Sequence, residues 1–245
     1  MEVMKMDQQA CKVKPEEKLL NGKTVGILLP GQSLSQLNDH VQHFKGKQIV
    51  WAGLNKFRAL EAQVLENIGE RIEIGWISAI DRVDNQMHHI CNQLKREDVI
   101  VTNVEGFDKI MMPGSEAPPN LIIDQIGNQF YLSEKHGRHG TNSLSALLFW
   151  MYQYLPKQVL IFGCDGHPHN AMAVYQNQLE VYPEENYNER AVTISRDTEL
   201  MNKCFWNKAE EIGVPHIPTF NVNKASTLEC FPRITGQEAL NLIGQ

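Results

Sequence analysis

The chain lacks a long hydrophobic run. Its longest mainly apolar stretch, Leu144 to Met151, is too short to span a bilayer. It also lacks an apolar core near its start: Met1 to Lys18 alternates Lys, Glu and Gln, so no secretory signal is expected. No basic run is interleaved with aromatics, and the formal net charge is −6. Non-specific nucleic-acid binding needs clustered Lys and Arg to displace counterions, so nucleic acid is not an expected partner. The five cysteines (Cys11, Cys91, Cys164, Cys204, Cys230) are scattered, odd in number and contain no C-x-x-C pair. That excludes a disulfide framework or a cysteine zinc site and points to free thiols in a reducing compartment. A soluble, cytoplasmic protein is expected. Internal repeats, low-complexity tracts and the full G-x-G-x-x-G dinucleotide fingerprint are missing as well.

What remains is ordinary globular material. Hydrophobic residues make up 42% of the 245 residues and charged residues 21%, enough to bury one sizeable core and too apolar for disorder. Residues 1–22 are polar and are expected to form a loose arm. From residue 23 short apolar runs alternate with amphipathic segments, the pattern of strands joined by crossover helices. The strands are predicted at Thr24–Leu29, Gln48–Ala52, Ile72–Ile77, Asp98–Thr102, Gln158–Phe162 and His216–Phe220. Helices are predicted from the Pro30–Ser33 turn to about Phe44, then over Arg58–Ile68, Val83–Leu94, Thr141–Tyr154, Arg196–Ile212 and Gly236–Ile243. Asp108–Met112 and Leu121–Ile123 read as further strands, with Pro113, Pro118 and Pro119 breaking the segment between them. The expected fold is α/β: a Rossmann-like, mostly parallel sheet with helices on both faces, forming one domain over residues 23–245. Residues 104–135 and 166–190 are candidate lids or insertions.

In an open α/β sheet, ligands bind outside the carboxyl ends of the strands, at a topological switch point. Four segments fall at such ends. Pro30-Gly31-Gln32-Ser33-Leu34-Ser35 follows the first strand, where a glycine lets a ligand approach and a helix start offers N–H groups to an anion. The bland reading is a tight turn with Ser33 or Ser35 as helix cap. Asn55 ends the second strand and could bond a ribose or base, but Asn is also a common turn residue. His136-Gly137-Arg138-His139-Gly140-Thr141-Asn142-Ser143 leads into the buried helix. Arg138 can hold a phosphate bidentately and the helix start adds partial positive charge, whereas the bland reading makes Thr141 or Asn142 a cap. Gly163-Cys164-Asp165-Gly166-His167-Pro168-His169-Asn170 follows the most apolar strand and brings Asp165 and two histidines, the usual acid/base residue at neutral pH, to its end. Such loop histidines are often only polar surface. The polar stretch that continues to Arg190, with Tyr175, Tyr182 and Tyr187, could fold over the site.

Together these features resemble the bacterial sialyltransferases of glycosyltransferase family 42 and their relatives, the motility accessory factor glycosyltransferases and the archaeal 6-hydroxymethylpterin pyrophosphokinases. The similarity spreads over residues 23–232 in short motifs. It implies a nucleotide held by Gly31, Gln32, Ser33 and Leu34 (part of a G-N-G-P-S-L turn) and by Asn55. Thr141, Asn142 and Ser143 stand where the sialyltransferases carry a T-S-G turn. Gly163-Cys164-Asp165-Gly166-His167 is similar to their G-I-D-F-Y, which puts His167 at the place of a phosphate-binding tyrosine; Tyr175 matches a later one. Their general-base histidine opens an H-S-K-N-T-D stretch, and here that stretch is Thr193-Ile194-Ser195-Arg196-Asp197-Thr198, without a histidine. Val192-Thr193 is closer to the accessory-factor branch.

Three functions are open on this reading. The first is transfer of a sugar from a nucleotide-activated donor, with a CMP-sugar as one candidate, to a glycan acceptor in surface glycan or lipopolysaccharide synthesis. No cofactor is required, and Asp165, His167 or His169 carries the chemistry. The second is a metal-dependent pyrophosphokinase or phosphohydrolase, in which Asp165, His167, His169, His136 and His139 gather Mg²⁺ or another divalent ion. The third is a non-catalytic nucleotide-binding module that kept the fold and lost the base.

Overall fold

The computed structural model describes residues 15–29, 31, 33–54, 64–77, 99–102, 121–123, 143–166 and 187–244. Along them the elements are α1 (Pro15–Leu20), β1 (Thr24–Leu28), α2 (Leu34–Phe44), β2 (Ile49–Leu54), β3 (Ile74–Ile77), β4 (Val99–Thr102) and β5 (Leu121–Ile123). There follow α3 (Ser143–Tyr152), β6 (Gln158–Phe162), α4 (Tyr187–Glu211), β7 (Thr219–Asn221) and α5 (Gly236–Ile243). The seven strands form one sheet in the order β5-β4-β3-β2-β1-β6-β7, and every pair is parallel.

The near-continuous apolar strands follow from burial on both faces. Side chains alternate across a strand with period two. Val25 and Ile27, with Val50, Ala52, Val159 and Ile161, face a core shared with Leu20 of α1, nearly all of α3, and Met201, Phe205 and Ala209 of α4. Leu28, Ile49, Trp51, Leu160 and Phe162 face the opposite core, against Leu34, Leu37, Val41 and Phe44 of α2 and Ala239 of α5. The sheet is therefore doubly wound, a Rossmann-like α/β arrangement with helices on both faces. The expected fold class holds.

Some element boundaries differ from expectation, each for a local reason. Residues 15–20, expected within a polar arm, form α1 because Leu20 is wholly buried in the first core. One leucine pair in a polar stretch is too short a pattern to reveal that. α4 starts at Tyr187, well before Arg196, inside the stretch expected as a lid. Val192, Thr193 and Ile194 are β-branched and lower helix propensity, which hides the continuity. β7 begins at Thr219, after Pro218, because proline has no N–H for the ladder. α5 starts as its sequence dictates: the Thr235 hydroxyl accepts from Glu238 N–H, and the Glu238 carboxylate accepts from Thr235 N–H. The predicted helix Val83–Leu94 and strand Asp108–Met112 lie outside the described residues.

Candidate functional site

β1 and β6 are neighbours, yet the chain leaves them in opposite directions. After β1 it enters α2 on one face of the sheet, and the helix that follows β6, α4, packs on the other. Their carboxyl ends therefore part and leave a crevice, the topological switch point of the sheet. A helix that returns the chain between parallel strands runs antiparallel to them, so the N-termini of α2, α3 and α4 stand at this same edge. Thr198 of α4 donates its hydroxyl to the Gly166 carbonyl at 3.3 Å, which marks where α4 passes the end of β6. Residues 187–197 then rise beyond it as ~16 Å of helix.

Two glycines form the floor. Leu29 N–H donates to Phe162 O at 2.9 Å and Gly31 N–H to Gly163 O at 2.9 Å, carrying the ladder past the strands. A Cβ on Gly31 would lie 2.1 Å from Gly163 O, and one on Gly163 would lie 1.9 Å from Leu29 O. Gly163 also has φ +72°, a left-handed conformation that side chains disfavour. Only glycine fits at either place.

Asp165 closes the next layer. Its carboxylate is buried and accepts from Ser33 N–H at 3.2 and 3.3 Å and from Asn223 Nδ2 at 2.8 Å. Its carbonyl accepts from Thr227 N–H at 3.0 Å and Ser226 Oγ at 3.1 Å. The first turn of α2 is thus already occupied by the protein's own anion, which complements the helix dipole and would repel a phosphate there. Ser33 does not cap α2 with its side chain: its φ and ψ are −65° and −10°, and its buried Oγ has no hydrogen-bond partner among the described residues. The Asp165 carboxylate, accepting from Ser33 N–H, is the acceptor at the start of α2 that the Ser33 hydroxyl was expected to be. Asn221 completes the knot, its Nδ2 donating to Cys164 O at 3.1 Å and Ser226 Oγ at 2.9 Å. Cys164 is half-buried; desolvation, with the Asp165 charge next, pushes its thiol well above the ordinary range, so it stays a protonated, unreactive group.

Of the residues singled out in the sequence, Gly31, Ser33 and Asp165 come together at this crevice, and Ser143 is the first residue of α3. Gln32, Asn55, Arg138, Thr141, Asn142, His167, His169 and Tyr175 lie outside the described residues, as do His136 and His139. Leu54, Ser143 and Gly166, which adjoin Asn55, Asn142 and His167 in sequence, all stand at the carboxyl edge. Among the described residues no three His, Cys, Asp or Glu side chains gather as a metal site.

Sequence reasoning missed the Asn221-Asn223-Ser226 loop, whose signal was an Asn-x-Asn-x-x-Ser run directly after a short strand. It also missed Asp197. Burial, opposed by the charge of Arg196, raises the Asp197 carboxyl from 3.8 to about 6, and its Oδ1 has no hydrogen-bond partner among the described residues. Beside the crevice lies a cleft of about 340 Å³ between α2 and the β7–α5 loop, floored by Leu37, Phe44, Phe162 and Val222 and rimmed by His40 and Lys224. Lys224 is paired with Glu238 at 3.1 Å. Asn223 borders both this cleft and Asp165. No helix among the described residues is long and apolar enough to cross a membrane. Neither a protein family nor a curated protein matches the sequence significantly.

Proposed function

We propose that the protein transfers a sugar from a nucleotide-activated donor to a glycan acceptor, with the nucleotide lying over the crevice between β1 and β6. The observation that carries this reading is the parting of the chain at that point, α2 to one face and α4 to the other. Gly31 and Gly163 support it by packing the two chain segments backbone to backbone beneath the crevice, so that neither puts a side chain into it. Asp165 fills the α2 N-terminus, so the donor phosphates belong at the head of α3, where Arg138, Thr141, Asn142 and Ser143 precede or open the helix. Asn55 then contacts the ribose or base, and His167 takes the phosphate position that its sialyltransferase-like motif suggests. Asp165 holds the loop in place for both. The free thiols Cys164, Cys204 and Cys230 suit a reducing compartment, and we place the protein in the cytoplasm.

Isothermal titration with CMP, CDP, UDP and GDP tests the reading. Binding of one of them, lost in Arg138→Ala, is expected; no binding by any of the four would sink it. Elemental analysis separates the metal-dependent pyrophosphokinase alternative, which requires a stoichiometric divalent ion in the purified protein.

A further inference from the structure

The inward stripe of α4 ends in a carboxylate. Met201, Phe205 and Ala209 recur at four-residue intervals and are 1%, 1% and 4% exposed, packed in the core shared with α3 and the sheet. Residues four apart lie on one helix face, so Asp197 continues this stripe one turn toward the N-terminus. The next residue, Thr198, is tied to Gly166 O, and that bond fixes this turn of α4 at the end of β6. Asp197 therefore heads the apolar stripe one residue from the bond that ties α4 to the end of β6. Its Oδ1 is closed off from bulk solvent and has no hydrogen-bond partner among the described residues. An apolar residue would serve packing better there, and an acid serving structure would have a donor, as Asp165 has three contacts nearby.

We propose that Asp197 is the general base of the site, accepting the proton of the acceptor hydroxyl. The assignment rests on the glycosyl-transfer reading. The acceptor oxygen bonds to the anomeric carbon, and the bond from that carbon to the donor phosphate oxygen breaks. Its electron pair leaves with the nucleotide, while the hydroxyl proton passes to the carboxylate of the half-buried Asp197 and then to solvent. The surrounding charges suit the task. Arg196 on α4 itself is the charged neighbour that lowers the carboxyl, and burial outweighs it. α3 carries no charged side chain from Ser143 to Tyr152, and Asp165 at the end of β6 is turned to Ser33 and Asn223. A carboxyl held at about 6 is deprotonated at neutral pH yet more basic than an ordinary aspartate. It lies within the stretch 193–198, which has no histidine, and supplies a base there.

The test compares the full-length protein with Asp197→Asn, first by titration with CMP, CDP, UDP and GDP. Release of nucleotide from the matching nucleotide sugars, with water as acceptor, is then followed across pH 4.5–8.5. The Asn variant is expected to bind the same nucleotide within about threefold and release it about 100-fold or more slowly. The wild-type rise in rate centred near pH 6 is expected to disappear with it. Melting curves of both proteins confirm that the variant is folded. An Asn variant that turns over at the wild-type rate, or that no longer binds nucleotide, overturns the role of Asp197 and leaves the nucleotide reading standing. A wild type that binds a nucleotide but releases none from any of its sugars also overturns the assignment. A wild type that binds none of the four overturns the glycosyl-transfer reading and this assignment with it.

Discussion

Gly31 and Gly163 carry two backbones past each other at a distance no side chain allows. Gly31→Ala would set a methyl 2.1 Å from Gly163 O and 2.9 Å from an Asp165 carboxylate oxygen, and two of its three nearest atoms belong to backbone that cannot swing aside. It is expected to destabilise the protein by about 3 kcal/mol or more, read by urea denaturation. Asp197 gives the opposite sign. Its folded value of about 6 exceeds the ordinary 3.8, so the folded protein binds that proton more tightly than the unfolded chain. The cost of its charge grows as pH rises between those two values, is complete above them and is absent below. Asp197→Asn should therefore raise stability at pH 8 by about 1–2 kcal/mol, after a discount for partial exposure, and by progressively less toward pH 4. Equal melting-temperature gains at pH 4 and pH 8 would contradict this. At this scale the sequence was only partly informative. Gly31 and Asp165 stood out by type and position, but that Asp165 meets Ser33 depends on residues 132 apart in the chain.

α4 shows what an element adds. Phe205 stacks on Phe149 of α3 at a centroid distance of 4.6 Å and meets Trp206 and Phe231 edge-on at 5.0 and 4.9 Å. The Trp206 indole donates to Cys230 O at 2.7 Å, so the cluster also anchors the segment before α5. Phe205→Ala is expected to cost about 3–5 kcal/mol in chemical denaturation, the range for emptying an aromatic site in a packed core. Because this cluster sets how α4 lies on the sheet, the same variant should weaken nucleotide binding without touching the crevice. β6 and α5 were fully legible in sequence, β6 from its continuous apolar run and α5 from the Thr235–Glu238 capping box. The start of α4 was not, because β-branched Val192–Ile194 resembles the end of a loop more than the middle of a helix.

Over the whole molecule, stability and binding are linked. A nucleotide that binds only the folded protein stabilises it by about 2.7 kcal/mol at a hundred times its Kd. For a chain of this size that is a rise in melting temperature of roughly 5–10 °C, checked by a thermal melt with and without the nucleotide. The alternation of apolar strands and amphipathic segments determined, without any structure, that the chain makes a doubly covered parallel sheet, since a pattern of period two or 3.6 is written locally. Strand order is not. Nothing within β1 or β6 says that they are neighbours, because the contacts that pair Val25 with Val159 span more than half the chain. The four segments at strand ends were visible in sequence as turns rich in Gly and polar residues. Only the tertiary structure decided that Gly31 and Ser33 of one close on Gly163 and Asp165 of another, and that Thr198 of a third element is tied to Gly166 beside them. Periodicity records which face of an element is buried, whereas a site depends on which elements share an edge, and that is settled by packing across the whole sheet.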